Sequence, residues 1–135
     1  MSRLMSVAFT EQAVVERRKT VTRRKGWWED KNGRRLLVPG DRLTLCRKVM
    51  GRKKGEPLER LAEVEVVDVR REPLGWMDPC LGNGHYGAAE VALEGFPGMD
   101  PCQFINRFFV DAQGMWHDDL VTRIEWRYLE DEASA

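Results

Sequence analysis

The sequence predicts an α+β fold, a small mixed β-barrel with short helices covering its ends. Three observations predict it. Segments with period-two alternation occur near both termini and in the middle, so strands from distant parts of the chain must meet. Only short helical stretches separate them. The longest alternating segment changes phase midway, as a strand does when a bulge bends it round a barrel. The order of strand, helix, several strands, two short helices and strand is neither a regular βαβ array nor all-β.

Leu4 to Phe9 reads as the first strand, and Thr10 as the N-cap of a brief helix over Glu11–Arg18. "KTVTR" is β-branched and extended. "GWWEDKNGRR" is a loop with a turn at Asn32-Gly33. Pro39-Gly40 predicts a type II turn, since proline presets φ and glycine accepts the positive φ that follows. A strand then covers Arg42 to Val49, with Leu43 and Leu45 on one face and Thr44 and Cys46 on the other. In "LAEVEVVDVRRE", Ala62, Val64 and Val66 alternate before Val67 and Val69 take over.

Residues 76–86 are irregular and Gly-rich. A helix over Ala88–Glu94 ends at Gly95, with Phe96 packing back on its last turn. Asp100 is an N-cap, with Pro101 at the first helical position and Gln103 completing a capping box. Phe104, Ile105, Phe108 and Phe109 form the core stripe of that helix. In "RIEWRYL", Ile124, Trp126 and Tyr128 point inward and Arg123, Glu125 and Arg127 outward. The whole chain, 1–135, reads as one domain with its core at about 4–129 and a fraying tail at 130–135.

The 22 Lys and Arg balance the 22 Asp and Glu, yet they are unevenly spread. Residues 1–60 carry a charge of +10 and residues 61–135 carry −10. A basic first half favours a polyanionic partner. No apolar run reaches the ~18 residues of a membrane span, no signal-peptide region opens the chain, and it reads as cytoplasmic. Cys46, Cys80 and Cys102 form no disulfide framework and no C-x-x-C pair. Cys80, His85, Cys102 and His117 are read as free thiols and ordinary histidines rather than a zinc site. No metal and no cofactor is expected.

The densest basic run is "RRKTVTRRKGWW", from Arg17 to Trp28. Its cations Arg17, Arg18, Lys19, Arg23 and Arg24 suit phosphates, and Trp27 or Trp28 suits stacking on an unpaired base. Arg52, Lys53 and Lys54 extend the basic track. The partner so implied is RNA or a single-stranded nucleic acid.

Four motifs in this order resemble one family: the run Arg17-x-Lys19-x-x-Thr22-x-Arg24, then Pro39-Gly40-Asp41, then Glu94-Gly95-Phe96 before a phenylalanine-rich helix, and the terminal "VTRIEWRYL". The chain resembles the ASCH domains of the PUA-like superfamily over residues 4–129, and is most similar to small actinobacterial and phage members. The resemblance implies a PUA-like barrel with a cleft between barrel and helices, and RNA binding. One similar bacterial branch hydrolyses 4-acetylcytidine to cytidine and acetate with a lysine, a threonine and a glutamate. By motif these are Lys19, Thr22 and either Glu94 or Glu90. The family's motif begins with glycine, where this chain has Arg17.

On that reading Thr22 is the nucleophile, Lys19 the base and Glu94 a proton carrier for a modified nucleoside. Lysine must be neutral to act as base, which at neutral pH costs ~4.6 kcal/mol unless the site lowers its pKa. Burial and neighbouring arginines lower it; Glu94 raises it. Lys19 and Thr22 are three apart, so on a straight strand they diverge. They meet only if the chain turns between them. Nucleic-acid binding is the favoured reading of this segment and acyl-nucleoside hydrolysis the alternative, and both need it to line a hollow.

Overall fold

The computed structural model describes residues 3–80 and 84–129. The tail at 130–135, expected to fray, lies outside the described residues, as do 81–83 of the Gly-rich stretch. Five strands form one curled, half-barrel sheet: β1 (Arg3–Ser6), β2 (Val21–Arg24), β3 (Arg42–Cys46), β4 (Arg60–Pro73) and β5 (Leu120–Tyr128). Their order is β1-β3-β4-β5-β2. β1 runs parallel to β3 and the other pairs are antiparallel. The expected α+β fold with short helices is the observed one; the expected mixed barrel is open, a half-barrel whose edge strands β1 and β2 do not pair.

The first strand is shorter than expected. It stops at Ser6, and Ala8–Thr10 form a 3-10 turn leading into α1 (Glu11–Val15). Thr10 occupies the N-cap position without a side-chain cap bond. The helix ends at Val15, not Arg18, because Arg17 adopts a left-handed φ of +63°. That is the conformation the family's glycine would supply freely. Arg17 also lays its guanidinium 4.9 Å from the Tyr128 ring centroid, which offsets part of the strain. Arg17→Gly is therefore expected to fold normally, with a melting temperature within a few degrees of the parent; a collapse of stability would mean the arginine stack outweighs the strain.

The Pro39-Gly40 turn forms as expected: the Asp41 N–H donates to Val38 O at 3.0 Å, and Gly40 has φ +98°. β3 stops at Cys46 rather than Val49, and both of its faces are buried. The bulge in β4 is present between Val66 and Asp68. Val67 is the extra residue and faces solvent, so it does not join the new inward set as expected; Val69 does. Met5, Leu43, Leu45, Val64, Ile124 and Trp126 fill the barrel side. Trp27 and Trp28 lie in a loop, half-buried against that core.

α2 spans Gly84–Leu93, starting before the expected Ala88. It ends in a Schellman motif: the Phe96 N–H donates to Val91 O and the Gly95 N–H to Ala92 O, both at 3.1 Å. Gly95 has φ +110°, and a Cβ there would meet Ala13 Cβ at 3.0 Å. Gly95→Ala is expected to cost roughly 2–3 kcal/mol, measurable by urea unfolding, because it combines backbone strain with a clash against α1. α3 (Pro101–Ile105) starts where Asp100 accepts from the Gln103 N–H. A π-helical turn, Asn106–Val110, then leads to α4 (Asp111–Gln113). Phe104, Ile105 and Phe109 form a second core with Leu74, Met77 and Val121.

Candidate functional site

β1 and β2 are the two edges of the half-barrel, and their backbones do not pair. Arg24 spans the gap with its side chain, donating from Nη2 to Ser6 O at 2.6 Å. A cavity of about 460 Å³ lies along this seam. Its polar side carries Lys19, Thr22, Arg23, Arg24 and Glu94; its apolar side carries Phe9, Phe96, Phe104, Phe108 and Phe109. Arg107 and Gln113, from the π turn and α4, complete it. Phe104, Phe108 and Phe109 thus serve the core and the cavity together, where the sequence predicted core alone, while Phe9 is an exposed ring at the rim.

Lys19 and Thr22 line the same cavity despite their spacing. Lys19 lies in the turn after α1, before the strand begins, so strand alternation does not apply to it. Its own carbonyl is held by Trp126 Nε1 at 3.0 Å and by the Tyr128 hydroxyl. Its Nζ donates to Glu94 O at 2.7 Å and to Glu94 Oε1 at 3.1 Å. Glu94 is the C-cap residue of α2, so the ammonium also sits at the negative end of that helix. Burial holds Lys19 below the ordinary lysine value, outweighing Glu94; Arg24 and Arg23 push the same way. Thr22 is buried, and its hydroxyl makes no hydrogen bond among the described residues.

Beneath the cavity is an ion cluster that sequence reading missed. In sheet register, Arg23 lies opposite Arg123, and Arg123 opposite Arg70. Three arginines in a row across β2, β5 and β4 repel unless acids intervene. Glu90 from α2 does so: it bridges Arg23 and Arg123, the latter through two bonds of 2.5 and 3.1 Å. Glu72 accepts from Arg23 at 3.1 Å and from Arg70 at 3.0 Å, and Glu94 accepts from Arg23 at 3.1 Å. Tyr86 donates to Glu72 and accepts from both Arg23 and Arg70. The side chains of Arg23 and Glu72 are 0% exposed. Although burial opposes it, Arg123 and Arg23 hold Glu90 below the usual carboxylate range.

This overturns two expectations about direction. Arg123 points inward, because α2 covers the face of β5 that alternation assigned to solvent. Arg23, expected to meet phosphates, is buried and faces three carboxylates of the protein itself. Of the two candidate glutamates, Glu94 lines the cavity with Lys19, while Glu90 lies in the ion cluster.

The remaining basic residues are dispersed. Arg17 stacks on Tyr128, and Arg18 pairs with Glu16 at 2.6 Å. Arg52, Lys53 and Lys54 are exposed in the loop between β3 and β4. Arg35 covers the Trp28 ring with its guanidinium 3.5 Å from the centroid. Cys46, Cys80 and Cys102 are free thiols. Among the described residues no group of three or more His, Cys, Asp or Glu is arranged to hold a metal, and no helix is long and apolar enough to cross a membrane.

The curled half-barrel with its short helices is an α+β fold of the ASCH type. It is similar to the crystal structure of an Enterococcus faecalis V583 protein described under the family model DUF984, with a TM-score of 0.62 and 13% identity over 96% of this chain and 80% of that one. It is also similar to the crystal structure of an ASCH domain from Lactobacillus crispatus JV V101, with a TM-score of 0.55 and 13% identity over 94% and 79%. No family model and no curated protein matches the sequence.

Proposed function

We infer that the chain is an ASCH-domain amidohydrolase that removes the acyl group from an acylated cytidine or a similar nucleoside. One observation carries this reading: a buried lysine with a lowered pKa, an unpartnered threonine hydroxyl and a glutamate line a single cavity. The volume, about 460 Å³, suits a small molecule. Phenylalanine rings on one side suit a flat base, and the polar side suits its acylated amine.

The chemistry balances with these groups. Neutral Lys19 Nζ takes the Thr22 proton as Oγ1 adds to the acyl carbon. Arg24 and Arg23 supply fixed positive charge for the oxyanion. The C–N bond breaks as Lys19 returns the proton to the leaving amine. Water, deprotonated by Lys19, then adds to the acyl-threonine ester, and Lys19 returns that proton to Thr22 Oγ1 as the ester bond breaks and the acid is released. Glu94 orients the lysine. Incubation with 4-acetylcytidine is expected to release one acetate per cytidine formed. No product at high enzyme concentration would remove that substrate.

Binding of RNA or a single-stranded nucleic acid is the second reading, and the exposed Arg17, Arg18, Arg52, Lys53 and Lys54 favour it. Affinity for a single-stranded oligonucleotide is then expected to fall steeply between ~50 and ~200 mM salt. A complex indifferent to salt would leave the cavity alone as the functional surface.

A further inference from the structure

A second cleft lies at the far end of β4 and the start of β5, away from the seam. Its volume is about 690 Å³, and Pro73, Gly75, Trp76, Trp116, His117 and Asp118 line it. Trp76 is 51% exposed and Trp116 is 70% exposed. Neither indole belongs to a hydrophobic core, and neither stacks on another aromatic ring among the described residues.

The frame holding them is closely tied. The Gly75 N–H donates to His117 O at 2.6 Å and the Leu74 N–H to Asp119 O at 2.9 Å, which extends the β4–β5 ladder into both loops. A Cβ at Gly75 would lie 2.8 Å from His117 O, so only glycine allows this approach. The turn bearing Trp116 is closed twice: its N–H donates to Asp119 Oδ2 at 2.9 Å, and the Asp119 N–H donates back to Trp116 O at 3.1 Å. His117 Nδ1 is held at 3.2 Å from Asp78 Oδ2. The backbone carrying two large exposed apolar rings is thus braced, so a ligand has only side chains to order.

Charge then selects the ligand. No lysine or arginine lines the cleft, and Asp118, exposed beside the rings, makes no ion pair among the described residues. A phosphate finds no cation there. A cation finds two π faces and a carboxylate, the pairing that recognises alkylated ammonium groups. We propose that the Trp76–Trp116 cleft binds a methylated ammonium group, carried either by a small quaternary amine or by a methylated lysine of another protein. The site is independent of the seam cavity.

The test is titration of the full chain with choline and with a trimethyl-lysine peptide, followed through the indole N–H resonances of Trp76 and Trp116, at constant ionic strength. Saturable shifts of those two resonances are expected with either probe, and the tighter probe identifies the source. Trp116→Ala is expected to weaken binding at least ~10-fold, Asp118→Asn ~3-fold, and Asp118→Lys to abolish it. Both positions are exposed, so the variants keep the parent melting temperature. No saturable shift below ~50 mM, equal binding of uridine, or full binding by Asp118→Lys overturns the proposal.

Discussion

Arg23→Ala is expected to lower stability by about 3–5 kcal/mol. The arginine bonds to Glu72, Glu90 and Glu94 at once. Its removal takes one bond from each of three buried carboxylates and leaves each with a single basic partner among the described residues: Arg70 for Glu72, Arg123 for Glu90 and Lys19 for Glu94. For a chain of this size the melting temperature should fall by roughly 10–20 °C. The pH dependence identifies the cause. In the parent, Glu90 is held below its ordinary 4.5, so its contribution is present above that value and lost as pH falls through the folded one. In the variant each acid has lost one of its two basic partners, so its ionised form is held less well and protonation relieves it at a higher pH than in the parent. The gap between parent and variant should therefore narrow as pH falls toward 4.5. A gap that stays constant from pH 7 to pH 4.5 would assign the loss to packing rather than charge. Arg23→Lys should recover little, since one ammonium cannot reach three acids in the guanidinium's fork geometry.

Thr22→Val is expected to lower kcat/KM for 4-acetylcytidine at least ~1,000-fold while changing stability by less than ~1 kcal/mol. The swap is nearly isosteric and removes a hydroxyl without a partner. Lys19→Met should cause a comparable loss of activity. Its structural cost is limited because Arg23 still pairs with Glu94. The rate should rise with pH through an inflection below 10.5, the ordinary lysine value, because burial holds Lys19 beneath it. An inflection at or above 10.5 would mean a charged lysine throughout, and would remove it as the base. The same shift affects folding. Between the folded value and 10.5 the unfolded chain binds more protons at Lys19, so this group's contribution to stability rises with pH across that window. Full activity in Thr22→Val would rule out the acyl-threonine route.

Much of the architecture was legible in the chain. The bulge in β4 showed as a phase change at Val66–Val69, because a two-residue period cannot shift without an inserted residue. The Schellman end at Gly95-Phe96 and the turn at Pro39-Gly40 were legible because local φ demands restrict residue type. Lys19, Thr22 and Glu94 were legible as a group only through the family resemblance; spacing alone argued against Lys19 and Thr22 meeting. Phe9 and Arg107 carried no signal, since nothing local distinguishes a cavity rim from a surface.

Local chemistry in the sequence was enough to place most strands and turns and the cap at Asp100, though not where β1, α1 and β3 end or the order of strands in the sheet. Only the tertiary structure decided which charges are buried. Arg23, Arg70 and Arg123 come from three strands and look like solvent-facing positions by alternation. Arg23 and Arg123 become buried because α2 lies over that face and supplies Glu90 and Glu94, while Arg70 stays partly exposed at the rim of the cluster. Alternation separates the two faces of a strand but does not say whether the polar face meets water or another element, and that depends on contacts between residues far apart in the chain.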